Sequence, residues 1–129
     1  MAKHTESQKQ AIESFGKNAI VSAGAGSGKT RVLSDRVKYL FENRNILVEN
    51  MLILTFTNLA AKEMKDRIRN KLKSVSLEEA NKVLTADICT FDSFALGLVK
   101  KYHLLLGLDE NINIVSSQVI VEKRKKWID

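Results

Sequence analysis

The clearest chemistry in this sequence lies in one stretch, Ala23-Gly24-Ala25-Gly26-Ser27-Gly28-Lys29-Thr30, a glycine-rich turn that ends in Gly-Lys-Thr. Glycines let successive backbone amides turn inward onto phosphate oxygens, a lysine ammonium reaches the terminal phosphates, and a threonine hydroxyl completes a Mg2+ shell. An amphipathic run follows, so the turn opens a helix whose free amides and dipole favour an anion. The strict spacing wants glycine where Ala23 stands. Because the later positions approach phosphate most closely, the looser form with alanine is tolerable. A plain turn before a helix is the simpler account, but alternating glycines directly before Lys29 and Thr30 argue for a nucleotide phosphate site. Ala25, Gly26, Ser27, Gly28, Lys29 and Thr30 are its candidate residues.

Three further segments hold suggestive side chains. Gln8 carries an amide that donates and accepts at once, the pattern that grips an adenine edge. The same residue stands three after Thr5, so a helix capping box explains it equally well. Residues 54–64 read Leu-Thr-Phe-Thr-Asn-Leu-Ala-Ala-Lys-Glu-Met, and Lys62, Lys65, Arg67, Arg69, Lys71 and Lys73 follow or fall within that run. Aromatic rings stack single-stranded bases, while hydroxyls, amides and helix N-termini hold phosphates. The simpler account makes Asn58 a cap, Phe56 a core residue and the basic run a solvated face. Thr90-Phe91-Asp92-Ser93-Phe94 repeats the pattern of a strand end opening a helix, and there Asp92 or Ser93 would serve as a cap.

The elements that must position these residues follow from periodicity. Ala11, Ile12 and Phe15 predict a helix over 5–15, and residues 18–22 a strand feeding the glycine-rich turn. Leu33, Val37, Leu40 and Phe41 fall on one face of a helix over 29–43. Residues 51–56 form a nearly continuous apolar run, as expected of a strand covered on both faces. Ala60, Met64, Ile68 and Leu72 predict a helix over 59–73, and Ser76 with Glu79 a capping box opening a short helix to about residue 84. A strand at 87–90, a helix over 91–102, a strand at 112–115 and a helix over 117–128 complete the reading. Strands alternating with helices predict an α/β fold: a parallel sheet with helices on both faces, its loops after Ser22, Phe56 and Thr90 along one edge. The stretch from Leu104 to Glu110 also reads as an apolar strand ending in an acidic pair, but Gly107 interrupts it.

Composition narrows the function. The chain has 129 residues, the size of one domain with a real core, and no apolar run long enough to span a bilayer. No secretory pattern opens it, so the expectation is a soluble, cytoplasmic protein. One cysteine, Cys89, excludes an internal disulfide and reads as a buried core thiol. With two histidines and that one cysteine, no cluster with metal-ligand spacing exists, so any metal should arrive with a nucleotide. The net charge of +6 suits a polyanionic partner without demanding one.

Taken in order, Gln8 with Ala11 and Ile12, the Gly-Lys-Thr loop, the Thr55-to-Met64 run and Thr90-Phe91-x-Ser93-Phe94 closely resemble the start of superfamily 1 helicases of the UvrD/Rep/PcrA group. The resemblance spans about residues 5–128. It implies a P-loop NTPase, RecA-like fold and an ATP-dependent DNA helicase or translocase in repair or recombination, with ATP and Mg2+ as cofactors. It implies that Gln8 reads adenine, that Lys29 is catalytic, that Thr30 holds Mg2+, and that Arg31 lies near the nucleotide. It further implies that Phe56, Thr57, Asn58, Thr90, Phe91 and Ser93 line a path for single-stranded DNA. The phrase Leu33-Ser34-Asp35-Arg36 and the long spacer from Ser74 to Ala86 look like the helicase-nuclease branch of AddA and RecB. Asp92 stands where the group often has histidine, which weakens a phosphate contact there. The acidic pair that binds Mg2+, the later motifs and the second core with its arginine finger are expected elsewhere. Residues 1–129 then represent part of the first core, ending where an inserted subdomain begins, and would bind nucleotide without turning it over. The partners implied are single-stranded DNA and the remainder of a helicase chain. A non-catalytic nucleic-acid-binding P-loop module and a small P-loop phosphotransferase remain as alternatives.

Overall fold

The computed structural model describes residues 4–109 and 111–112. Its elements, in chain order, are α1 (Glu6–Glu13), α2 (Lys29–Arg44), a 3-10 turn at Val48–Asn50, β1 (Ile53–Thr55), α3 (Asn58–Leu72), α4 (Leu77–Lys82), β2 (Ile88–Thr90) and α5 (Phe91–Lys101). The mixture is α/β. β1 and β2 pair in parallel, with Ile53 opposite Ile88 and Thr55 opposite Thr90. A parallel pair requires a crossover, and α3 with α4 supplies it. The chain divides into two compact units, Met1–Phe91 and Asp92–Asp129.

In the first unit the core forms around α3. Ala61, Met64, Ile68 and Leu72 are its buried residues, at the 3–4 spacing that puts them on one face, and Ile68 and Leu72 are wholly buried. They meet Val37 of α2, Val48, Ile53 of β1, Ala80 of α4, Val83, Ala86 and Ile88 of β2. Burying each large aliphatic side chain here stabilises by roughly 1.5–3 kcal/mol, which makes α3 the centre of the unit. Leu33 and Phe41 of α2 pack against the same cluster. Only Ile12 of α1 is buried.

Buried polar groups tie the edges of this core together. Ser76 caps α4, its hydroxyl accepting from the Glu79 amide at 3.2 Å. The reciprocal half of the expected box is missing, because the Glu79 carboxylate turns instead to the Val48 amide, 2.9 Å away, and to Lys82 Nζ at 2.9 Å. Burial pushes the Glu79 carboxyl up, but the Val48 N–H and the Lys82 ammonium outweigh it and hold it below the usual range. Lys82, bound to Glu79 and Glu78, is pushed up in turn. A charge is thus kept buried by a full set of partners, and the clamp joins α4 to the turn leading into β1.

Several sequence expectations change. The stretch 18–22 forms no strand; Ile20 is fully exposed and Val21 largely so. A strand exists only where a neighbour pairs its amides and carbonyls, and β1 and β2 pair with each other alone among the described residues. Among the described residues of the first unit, α3 packs on the strand face carrying Ile53 and Ile88, while Leu54 and Cys89 on the other face are half-buried. Cys89 is therefore a half-buried free thiol, not a core one. Thr57, not Asn58, caps α3, its hydroxyl accepting from the Ala60 amide at 3.1 Å. Asp92 and Ser93 sit inside the first turn of α5, not at its cap.

In the second unit α5 buries none of its residues, and Leu98 is among the exposed ones. Leu104, Leu105 and Leu106 form turns instead of a strand, with the Leu106 amide donating to the Tyr102 carbonyl at 3.2 Å. Asp109 accepts from the Asn111 amide at 3.1 Å, the local turn bond that such a residue makes. The expected strand at 112–115 and helix over 117–128 lie outside the described residues.

Candidate nucleotide and nucleic-acid sites

The glycine-rich turn gains its shape from two left-handed residues, Gly26 (φ 74°) and Gly28 (φ 84°), a conformation that side chains resist. Gly28 is the N-cap of α2, and its carbonyl accepts the opening helical bond from the Val32 amide at 2.9 Å. The first turn of α2 holds Lys29, Thr30 and Arg31 and no acidic residue, so the helix end is uniformly favourable to an anion. Lys29 Nζ reaches back across the turn and donates to the carbonyls of Ala23 and Gly24, both at 2.7 Å. An ammonium held there faces the hollow of the turn.

Gln8 closes the expected capping box and also makes a contact distant in sequence. Its Oε1 accepts from the Thr5 amide at 3.0 Å, and the Thr5 hydroxyl accepts from the Gln8 amide at 3.3 Å, so the capping box is complete. Its Nε2 meanwhile donates to the Ser27 carbonyl at 3.1 Å, across 19 residues of sequence. The cap does not compete with the site; it aims the amide at the turn. A cavity of about 520 Å³ lies between these pieces, lined by Gln8, Ala11, Val21, Lys29, Leu33 and Arg36 among others, within the size range of small-molecule pockets.

This donor set fits a nucleotide triphosphate with Mg2+. Backbone amides of 26–30 and the Lys29 ammonium would hold phosphate oxygens, the exposed Thr30 hydroxyl would serve the metal, and apolar Ala11, Val21 and Leu33 would face a base.

A second group forms at the C-terminal ends of the strands. In-register pairing of β1 with β2 makes Phe56 and Phe91 neighbours, their ring centroids 6.4 Å apart and tilted by 39°. Phe56 is 95% exposed and Phe91 56%, so neither is the core residue that the simpler sequence account made of Phe56. Thr55 Oγ1 donates to the Thr57 carbonyl at 3.1 Å and holds the corner from which the ring projects. Asn58 opens α3, exposed, and Thr90 ends β2. Ser93 lies in the first turn of α5, in the second unit. The basic run on α3 is divided: Lys65 donates to the Leu84 carbonyl at 3.1 Å and Lys71 pairs with Asp35, whereas Lys62, Arg67 and Lys73 are exposed. Exposed aromatic rings beside the N-terminus of α3, with Lys62 exposed on the same helix, make a surface suited to stacking bases and holding phosphates.

The structure also shows residues whose position periodicity does not reveal. Arg36 on α2 donates to the carbonyls of Ala11 and Ile12 at 2.9 and 3.1 Å, at the end of α1. Asp35 meets His4 Nε2 at 3.1 Å, Arg31 Nε at 3.8 Å, and Lys71. Sequence marks them in two ways, through the phrase Leu33-Ser34-Asp35-Arg36 and through a last turn of α1 with no basic residue of its own, and neither names their partners.

The chain as a whole is similar to known proteins. Residues 4–129 match the family described as UvrD/REP helicase N-terminal domain. Curated relatives include AddA subunits of ATP-dependent helicase/nucleases, and that of Lactobacillus johnsonii is 38% identical over 98% of this chain and 11% of its own length. That of Levilactobacillus brevis is 39% identical over 88% of the chain and 10% of its own length. The Staphylococcus carnosus relative is 36% identical, over 97% and 11%. This chain therefore spans about a tenth of the length of the curated relatives it matches. It belongs to the UvrD/REP helicase N-terminal domain family.

Proposed function

We propose that this member of the UvrD/REP helicase N-terminal domain family supplies the ATP-binding part of an ATP-dependent DNA helicase or translocase acting on single-stranded DNA, as the first portion of a RecA-like core. The likeness to the ATP-dependent helicase/nuclease relatives favours the helicase-nuclease branch. A cytoplasmic role in repair or recombination is the part of the proposal that rests on the resemblance to superfamily 1 helicases alone. The observation that carries the reading is the convergence of Gln8 and Lys29 on one turn: Nε2 on the Ser27 carbonyl, Nζ on those of Ala23 and Gly24.

Each residue then has a physical task. The amides of Ala25, Gly26, Ser27 and Gly28 donate to phosphate oxygens, and Lys29 neutralises charge on the transferring phosphoryl group, an electrostatic and positioning role. Thr30 would hold Mg2+, which would draw charge off the phosphate oxygens. Gln8 pairs with the donor and acceptor of the adenine edge, and Arg31 adds positive charge beside it. Phe56 and Phe91 stack bases while Thr57, Asn58, Thr90 and Ser93 hold the backbone of the strand. The resemblance to superfamily 1 helicases implies that turnover also uses an acidic pair and an arginine finger from other segments, so residues 1–129 by themselves are proposed to bind nucleotide without hydrolysing it.

The test is a calorimetric titration of the chain with Mg2+ and a non-hydrolysable ATP analogue, beside Lys29→Ala, with phosphate release from ATP followed with and without single-stranded DNA. Binding that Lys29→Ala abolishes, without turnover, supports the reading. DNA binding that ignores both nucleotide and Lys29→Ala would favour a non-catalytic module, and transfer of phosphate to a small acceptor would favour a phosphotransferase. DNA-stimulated turnover would refute the incompleteness of the site.

A further inference from the structure

We infer that Asp35 and Arg36, consecutive on α2, are positioning residues for nucleobase selection: together they grip both ends of α1 and so hold Gln8 over the glycine-rich turn. The inference rests on the nucleotide reading above and adds the device that gives it base specificity.

The need for such a device follows from α1 itself. At eight residues it is too short to be stable alone, and it buries only Ile12, so apolar contact does little to fix its place. Polar anchors must supply the rest. At its C-terminal end Arg36 donates to the carbonyls of Ala11 and Ile12, at 2.9 and 3.1 Å, providing the cation that its own last turn lacks. At its N-terminal end Asp35 Oδ2 lies 3.1 Å from Nε2 of His4, the residue before the Thr5 cap. From Thr5 the path runs through the capping box to Gln8, and from Gln8 Nε2 to the Ser27 carbonyl. Both anchors start within two turns of Lys29, on the same rigid helix that the glycine-rich turn opens. Asp35 is in turn fixed by Lys71 of α3 and by Arg31 Nε at 3.8 Å, and Lys71 Nζ also donates to the Arg31 carbonyl at 3.4 Å. One helix therefore carries the phosphate site and clamps the element that reads the base. Displacing α1 by an ångström or two would remove Gln8 from the base and leave the phosphate site intact.

Arg36→Met keeps the aliphatic stem and removes the guanidinium, and Asp35→Asn removes the charge that holds His4. In the 129-residue chain, affinity for the Mg2+-ATP analogue should fall about tenfold in each, a few-fold more or less. Affinity for Mg2+-tripolyphosphate, which has no base, should stay within about twofold. In a Gln8→Ala background neither substitution should cost further ATP affinity. Hydrogen exchange without nucleotide should quicken at the amides of α1 in Arg36→Met, with α3 and α4 unchanged. Equal losses for ATP and tripolyphosphate, losses that add to that of Gln8→Ala, or unchanged α1 exchange would overturn the inference. If Gln8→Ala itself left ATP affinity unaltered, the assignment of Gln8 to the base would fail, and the exchange of α1 would still decide whether Asp35 and Arg36 hold it.

Discussion

Replacing Gln8 by glutamate separates two roles that the same side chain plays. In α1 the residue is the third helical position, where its Oε1 accepts from the Thr5 amide at 3.0 Å and its Nε2 donates to the Ser27 carbonyl at 3.1 Å. A glutamate carboxylate keeps the acceptor and is a usual partner in a capping box. Its charge in the first turn adds about 0.3–1 kcal/mol of favourable interaction with the helix dipole. Against this stands the lost bond to Ser27, exposed and worth about 0.5–1.5 kcal/mol. The two nearly cancel, so Gln8→Glu should unfold within about 1 kcal/mol of the parent. Nucleotide binding should not be spared. Adenine offers an acceptor beside a donor, and a carboxylate cannot donate, so about 1–3 kcal/mol of base recognition is lost, or roughly 5- to 150-fold in Kd. Gln8→Ala, by contrast, should lose both cap and base contact. Thermal unfolding and calorimetric titration with the ATP analogue, run on the three proteins side by side, distinguish the outcomes. Destabilisation of Gln8→Glu equal to that of Gln8→Ala, or unchanged nucleotide affinity in Gln8→Glu, would refute the division of labour.

Phe56→Ala should leave thermal stability unaltered, because the ring is 95% exposed, yet weaken binding of an oligothymidine, measured by fluorescence anisotropy, by about 1–3 kcal/mol. Retained oligonucleotide affinity would remove Phe56 from the DNA surface. The Glu79 clamp contributes stability that is present above the unfolded carboxylate value and is lost as pH falls through its lowered folded value. Acid unfolding followed by circular dichroism should therefore show a loss beginning below about pH 4.5 that is flatter in Glu79→Gln. Glu79→Leu should cost about 1–3 kcal/mol at neutral pH by leaving the Val48 amide buried without an acceptor, and a neutral effect there would show that the amide finds another partner.

Much of the fold was legible because local chemistry and tertiary packing agree. Met64, Ile68 and Leu72 of the four-residue spacing in α3, the Ser76 cap of α4 and the Thr5–Gln8 box all reappear, with Ala61 buried in place of the exposed Ala60. Where they failed to agree, a partner distant in sequence decided. Residues 18–22 have the composition of a strand but no neighbour among the described residues to bond with. Glu79 fits a capping box by spacing, yet its carboxylate goes to Val48, 31 residues away, because a buried amide there has greater need of it. Phe56 reads as core from hydrophobicity and is exposed, since it stands one residue past the end of β1, where the chain turns out of the layer.

Residue order alone sets the chemistry available: a turn whose glycines, lysine and threonine suit a phosphate, and strand ends whose aromatic and hydroxyl side chains suit a nucleic acid. Both depend on residue type at short spacing, which the chain carries wherever it folds. How those groups are held is settled by packing between distant elements. That Gln8 faces Ser27, that Arg36 caps a helix 24 residues before it, and that Lys71 is engaged by Asp35 instead of solvent all depend on which helix packs on which. No periodicity records such pairings, because a charged side chain on a helix face looks the same in sequence whether it meets water or a carbonyl of another element.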